Sequence, residues 1–151
     1  MRRTVPELTD HLGYWLRLLS NHVSHGFARK IAGEGVTVAE WAMMRVMYGK
    51  GPLPPSRVAG LMGMTRGAIT RLADRLIGKG LLLREASESD GRAQALRLTG
   101  KAERMVPRLA ALADLNDAES FSQFSPEERR ALRAMLEKSV TRLGISQVAI
   151  D

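Results

Sequence analysis

Apolar residues recur through the N-terminal region at three- and four-residue intervals: Leu8, Leu12, Trp15, Leu16, Leu19, Val23, Phe27 and Ile31. This is the stripe of a helix with one covered face, and Gly33 and Gly35 close it. Thr37 and Glu40 form a T-x-x-E capping box ahead of Trp41, Met44, Val46 and Met47, so a second helix starts there. It stops near Gly49 to Gly51, and Pro52, Pro54 and Pro55 prevent its continuation. Ser56 is read as the cap of a short helix carrying Val58, Ala59 and Leu61. Gly63 breaks that helix, and Thr65 caps another that buries Ile69, Leu72, Leu76 and Ile77 while leaving Arg66, Arg71 and Arg75 largely on other faces.

After Gly78 and Gly80 the period changes. Leu81 to Glu85 and Ala93 to Thr99 read as two short strands, the second alternating Ala95, Arg97 and Thr99 against Leu96 and Leu98, joined by the polar turn Ser87 to Arg92. Thr99 caps a long helix with the stripe Met105, Val106, Leu109 and Leu112, which Pro107 should bend if it lies inside. Ser125, Pro126 and Glu128 open a last helix with the apolar face Leu132, Leu136, Val140 and Leu143. The expected class is mainly α with a small β-hairpin, as one domain over 1–151. A helix-turn-helix with a hairpin wing occupies about 37–99, and helices over about 5–33 and 100–146 flank it. The terminal stripes are too long for so small a central core to cover, so pairing with a second copy, a homodimer, is expected.

Composition narrows the chemistry. The chain lacks cysteine, which excludes disulfides, thiolate zinc sites and thiol nucleophiles. No apolar run approaches the length of a membrane span, and no secretory leader is evident, so a cytoplasmic protein without membrane contact is expected. The formal charge is +7, and residues 57–104 hold ten cations against five acids, so a segment under a third of the chain carries five of those charges. A basic balance concentrated there favours a polyanionic partner, double-stranded DNA.

A duplex is bound through cations on its phosphates and read by a helix whose N-terminal side chains reach base edges. Thr65 to Arg75 has that composition. Thr65 and Thr70 can donate to phosphate or base, Arg66 and Arg71 can reach guanine, Gly67 and Ala68 permit close backbone approach, and Arg75 lies one turn further on. A solvated basic helix face would look the same in isolation. Its place between a tight turn and a hairpin favours DNA. The hairpin tip, Ser87-Glu88-Ser89-Asp90-Gly91-Arg92, is a polar turn whose arginine is placed to enter a minor groove.

The run Thr-Arg-Gly-Ala-Ile-Thr-Arg-Leu-Ala-Asp-Arg-Leu-Ile-Gly-Lys-Gly-Leu (65–81), with Arg84, Asp90-Gly91-Arg92 and Leu98-Thr99, resembles the recognition helix and wing of the MarR family of winged helix-turn-helix regulators. The resemblance covers nearly the whole chain in element order, and its specific motifs lie between about Ser56 and Thr99. It implies a dimer with interlocked terminal helices, recognition helices in successive major grooves, wing arginines in flanking minor grooves, and Asp90 holding the wing through an ion pair. The implied DNA-binding set is Ser56, Thr65, Arg66, Gly67, Ala68, Thr70, Arg71, Arg75, Arg84, Ser87, Asp90 and Arg92. Two positions depart from the family pattern: Gly91 stands where a second arginine is frequent, and Ala102 where a glycine often follows the Leu-Thr pair.

Weaker signals add little. His22 and His25, with His11 or Glu34, have no matched cysteine or carboxylate and suit a polar interface better than a metal site. Trp15, Trp41 and Met44, with Met43 and Met47, are candidates for lining a pocket for a small aromatic or apolar effector, although their spacing suits core packing better. No phosphate loop, nucleophile elbow or triad emerges, so neither an enzyme nor a bound cofactor is expected. The reading is a sequence-specific transcription regulator, a repressor acting as a homodimer on a pseudo-palindromic operator, relieved by an effector. The alternative is a winged-helix module that docks another protein; such a module has no need of arginines at both the recognition helix and the wing tip.

Overall fold

The computed structural model describes residues 4–87 and 94–150. Among them a short 3-10 turn (Leu8–Asp10) precedes α1 (Leu12–Ala32), α2 (Val38–Met47), α3 (Pro55–Met62), α4 (Arg66–Gly78), β1 (Leu82–Ala86), β2 (Gln94–Leu98), α5 (Gly100–Ser120) and α6 (Pro126–Leu143). The class and order match the expectation. No helix among the described residues is long and apolar enough to cross a membrane.

Capping chemistry sets most boundaries. The Thr37 hydroxyl accepts the Glu40 N–H at 3.2 Å while the Glu40 carboxylate accepts the Thr37 N–H at 3.0 Å. Ser125 and Glu128 repeat this at α6, at 3.1 and 3.0 Å. Thr65 and Thr99 cap α4 and α5 by accepting the N–H groups of Ala68 and Ala102. Each such bond satisfies a donor that the first helical turn leaves unpaired.

Two expected starts differ. Leu8 does not belong to the first long helix: the Asp10 carboxylate accepts the Glu7 N–H at 2.9 Å, His11 is extended, and α1 begins at Leu12. Local side-chain bonding to the backbone competes here with helix extension. Ser56 does not cap α3, because Pro54 is the cap residue and Pro55 the first helical one. A proline at that position has the helical φ already set and lacks only an N–H that would be unpaired anyway, so Ser56 falls one residue inside, exposed. Pro107 does lie within α5.

The strands pair antiparallel, Leu82 opposite Leu98 and Ala86 opposite Gln94. Burial along β2 departs from strict alternation, since Ala95 is covered along with Leu96 and Leu98. Leu53 adds a rung beside them, exchanging backbone hydrogen bonds with Leu96 at 2.9 and 2.7 Å. A single-residue bridge has no periodicity, so nothing in the sequence announced it.

One core joins these pieces: Ile31 from α1, Met43, Met44 and Met47 from α2, Met62 from α3, Ile69, Leu72 and Leu76 from α4, Leu82 and Leu96 from the hairpin, Leu109 from α5. Ala102 is fully buried in it, so the methyl that stands where the resembled family often has glycine is a packed group. The terminal helices contribute little. Ile31 is the one buried residue of α1, and α6 has none.

Candidate nucleic-acid interface

α3 and α4 form the helix-turn-helix, and the turn follows from one glycine. Gly63 closes α3 at φ +62°, in the left-handed region that a side chain disfavours. Thr65 then starts α4. Ile69, Leu72, Ala73 and Leu76 bury one side of α4 in the core, which leaves Thr65, Arg66, Gly67, Thr70 and Arg71 exposed together along its N-terminal half, with Ala68 half-buried at their edge.

The structure refines the expected roles. Thr70 donates its hydroxyl to the Arg66 carbonyl at 2.9 Å, so in this state its oxygen can accept from a partner while its proton is engaged. Arg75 turns toward the start of α2, its Nε 3.9 Å from the Glu40 carboxylate. Arg84 is not a free cation: its Nη2 donates to Asp74 Oδ1 at 2.6 Å, tying β1 to α4. An exposed pair of this kind stabilises the fold by at most about 1 kcal/mol, so its effect is to orient the hairpin against α4. Arg97 and Glu85 pair across the strands at 3.5 Å. Ser87 sits half-buried at the end of β1. Asp90 and Arg92, and with them the implied wing ion pair, lie outside the described residues.

A buried ionic group escaped the sequence reading. Glu40, 1% exposed, accepts from Lys79 Nζ at 2.7 Å in addition to its capping bond, and the same Nζ donates to the Gly35 carbonyl at 2.8 Å. The last turn of α4 is thereby fastened to the first turn of α2. Thr99 adds a second tie, donating to the Gly80 carbonyl at 2.8 Å while it caps α5. The T-x-x-E motif revealed the cap; that its carboxylate also serves a lysine 39 residues away depends on the tertiary fold.

A cavity of about 630 Å³ lies among α1, α2, α5 and the C-terminal residues, lined by Val23, Phe27, Trp41, Arg75, Asn116 and Ile150 among others. Of the three effector candidates only Trp41 borders it, edge-on to Phe27. Met44 is fully buried in the core instead. Trp15 is 52% exposed and donates its indole N–H to the Thr9 carbonyl. Helical spacing placed Met44 on the inward face of α2 without distinguishing a packed core from a cavity wall. Asn116 joins α5 to α1 at the rim, donating to the Val23 carbonyl at 3.0 Å and accepting from Lys30 at 3.3 Å. No cluster of three or more potential metal ligands occurs among the described residues, so His22 and His25 stand without one.

Comparison with known proteins agrees with this architecture. A sequence model of the MarR family matches residues 34–93, from just after α1 to just before β2. An uncharacterized HTH-type transcriptional regulator, YkoM of Bacillus subtilis, is 27% identical over 117 residues, covering 78% of this chain and 76% of that one. The transcriptional repressor CouR, solved bound to a 23-mer DNA duplex, is 25% identical with a TM-score of 0.80, covering 93% of this chain and 99% of that one. Bordetella bronchiseptica BpsR, whose DNA binding is regulated by 6-hydroxynicotinic acid, shares the fold at 19% identity and a TM-score of 0.77, covering 90% and 97%. YkoM and CouR are thus both transcriptional regulators.

Proposed function

We propose that this chain, which matches a model of the MarR family over residues 34–93, is a member of that family and a homodimeric, sequence-specific DNA-binding regulator of transcription that acts on a pseudo-palindromic operator. One observation carries the reading: Thr65, Arg66, Gly67, Thr70 and Arg71 are exposed side by side on the N-terminal half of α4, whose opposite side is sealed in the core. A rigid helix with cations and small residues at its leading end can enter a major groove and reach base edges. Ser56, exposed at the start of α3, would contact a phosphate, and the wing residues Ser87, Asp90 and Arg92 would serve the flanking minor groove. CouR, solved on DNA, supports the assignment.

Dimerisation is the second part of the proposal. Leu12, Trp15 and Leu16 on α1, and Met135, Leu136, Val140 and Leu143 on α6, are all exposed in the single chain. Apolar area of that extent marks an interface rather than a solvated surface. The whole chain is then one domain whose region of about 37–99 reads DNA, while about 5–33 and 100–146 pair with the second copy. A small aromatic or apolar effector would occupy the cavity beside Trp41 and Phe27, a reading that the ligand-regulated BpsR supports.

Selection of bound duplexes from a random pool tests the reading, and the expected product is a single inverted repeat. Recovery of duplexes with no common sequence would leave a basic surface without readout. On the selected operator, Arg66→Ala or Arg71→Ala should cost about 1 to 3 kcal/mol, with little loss on scrambled duplex. Arg75→Ala, at the end of the helix near Glu40, should weaken both duplexes alike and lower the salt slope by about one unit per arginine. Titrations of the three variants at several salt concentrations separate the roles. Equal losses everywhere would remove base readout from α4.

A further inference from the structure

The segment after α6 makes a connection that the DNA-binding reading leaves unused. Gly144 ends α6 at φ +64°, and the Ile145 N–H returns to the Val140 carbonyl at 3.1 Å, so the chain reverses direction. The segment then runs onto the helix-turn-helix. Val148 donates its N–H to the Met62 carbonyl at 3.2 Å, at the last residue of α3. That carbonyl is among those a helix end leaves unpaired, so the tail supplies a bond that α3 cannot make for itself. The contact is close enough to involve backbone on both sides. A Cβ placed on Gly63 would lie 2.9 Å from Gln147 Cα and 3.3 Å from the Ser146 carbonyl oxygen, so glycine there serves the approach of the tail as well as the positive φ.

The next two residues, Ala149 and Ile150, form part of the cavity wall opposite Trp41 and Arg75. Val148 and Ile150 also pack against the core. One short segment therefore touches the turn between α3 and α4 with residues 146–148 and the cavity with 149–150. We propose that residues 145–150 are a regulatory strap that couples occupancy of the cavity to the geometry of the helix-turn-helix: with the cavity empty the strap clamps the Met62–Gly63 turn, and bulk in the cavity displaces Ile150 and, two residues away, the Val148 bond. The inference rests on the reading of α3 and α4 as the DNA-binding unit. The difference in strap contacts between the two states is the differential interaction that any such coupling requires.

Hydrogen exchange and operator titration on the full chain test it. Ala113→Trp places bulk in the cavity from α5, and should speed exchange of the Val148 amide about tenfold, with the Met64 amide following and the Leu109 amide unchanged as a reporter of the core. Val148→Pro removes the bond to Met62 without touching the cavity. It should loosen Met64 to the same degree, and both variants should weaken operator binding about tenfold. Should Ala113→Trp fail to fold, seen as loss of protection at Leu109, Ile150→Asp detaches the strap from the cavity wall and carries the same expectations. Val148 protection unchanged by bulk in the cavity, or wild-type operator affinity in Val148→Pro, overturns the strap. A wild-type chain that selects no duplex overturns the DNA-binding reading instead, and the exchange at Val148 and Met64 still decides whether the strap joins cavity to turn.

Discussion

Lys79→Met should lower the unfolding free energy by about 3 kcal/mol, because it leaves a buried carboxylate without its close cation. Glu40 is 1% exposed and accepts from Lys79 at 2.7 Å and from the Thr37 N–H at 3.0 Å. The other cation nearby, Arg75, stands 3.9 Å off and is mostly in solvent. Methionine preserves the apolar stem of the lysine, so the loss reports the charge and not the packing. Denaturant titration reads it as a lower midpoint at unchanged slope. Adding Glu40→Gln to Lys79→Met removes the stranded charge, and the double variant should recover much of the deficit. A loss under about 0.5 kcal/mol for Lys79→Met would mean that solvent and Thr37 suffice for Glu40. The same variant should weaken operator binding, since this pair fastens the end of α4 to α2.

The second large effect concerns assembly. Leu136→Asp with Val140→Asp should convert the proposed dimer into folded monomers and weaken operator binding by about 100-fold or more, because two half-sites are no longer engaged by one particle. Both side chains are exposed in the single chain, so the fold of the subunit should tolerate the change; like charges one helical turn apart cost a helix only about 0.2 to 0.5 kcal/mol. Light scattering at micromolar concentration gives the mass, and circular dichroism the helix content. A wild-type chain that is itself a folded monomer would sink the dimer and the two-half-site operator together. A double variant that remains dimeric would move the interface away from α6.

The local elements were legible in the sequence because their determinants are local. T-x-x-E at 37–40, S-P-E-E at 125–128, and Thr65 and Thr99 ahead of apolar periodicity fixed where α2, α6, α4 and α5 begin, since a cap acts over a single turn of backbone. The helical period of Ile69, Leu72 and Leu76 determined the inward side of α4, and hence which arginines face out. Net positive charge between Arg57 and Arg104 and the resemblance of residues 65–81 then pointed to DNA.

What the tertiary structure alone decided depends on residues distant in sequence. Trp15, Trp41 and Met44 share helical spacing, yet one is exposed, one borders a cavity and one is sealed in the core, because burial is settled by what packs opposite and not by the period of one's own helix. Arg84 stood in the sequence only as a member of the implied DNA-binding set, and the fold pairs it with Asp74. Glu40 read as a cap until the fold delivered Lys79 to it. The tail showed no pattern of its own; its role arises because α6 returns it to the turn at Gly63. Periodicity and capping act within a few residues of chain and can be read along it, whereas ion pairs, cavities and strand bridges form between segments that only the folded core brings within a few ångströms of each other.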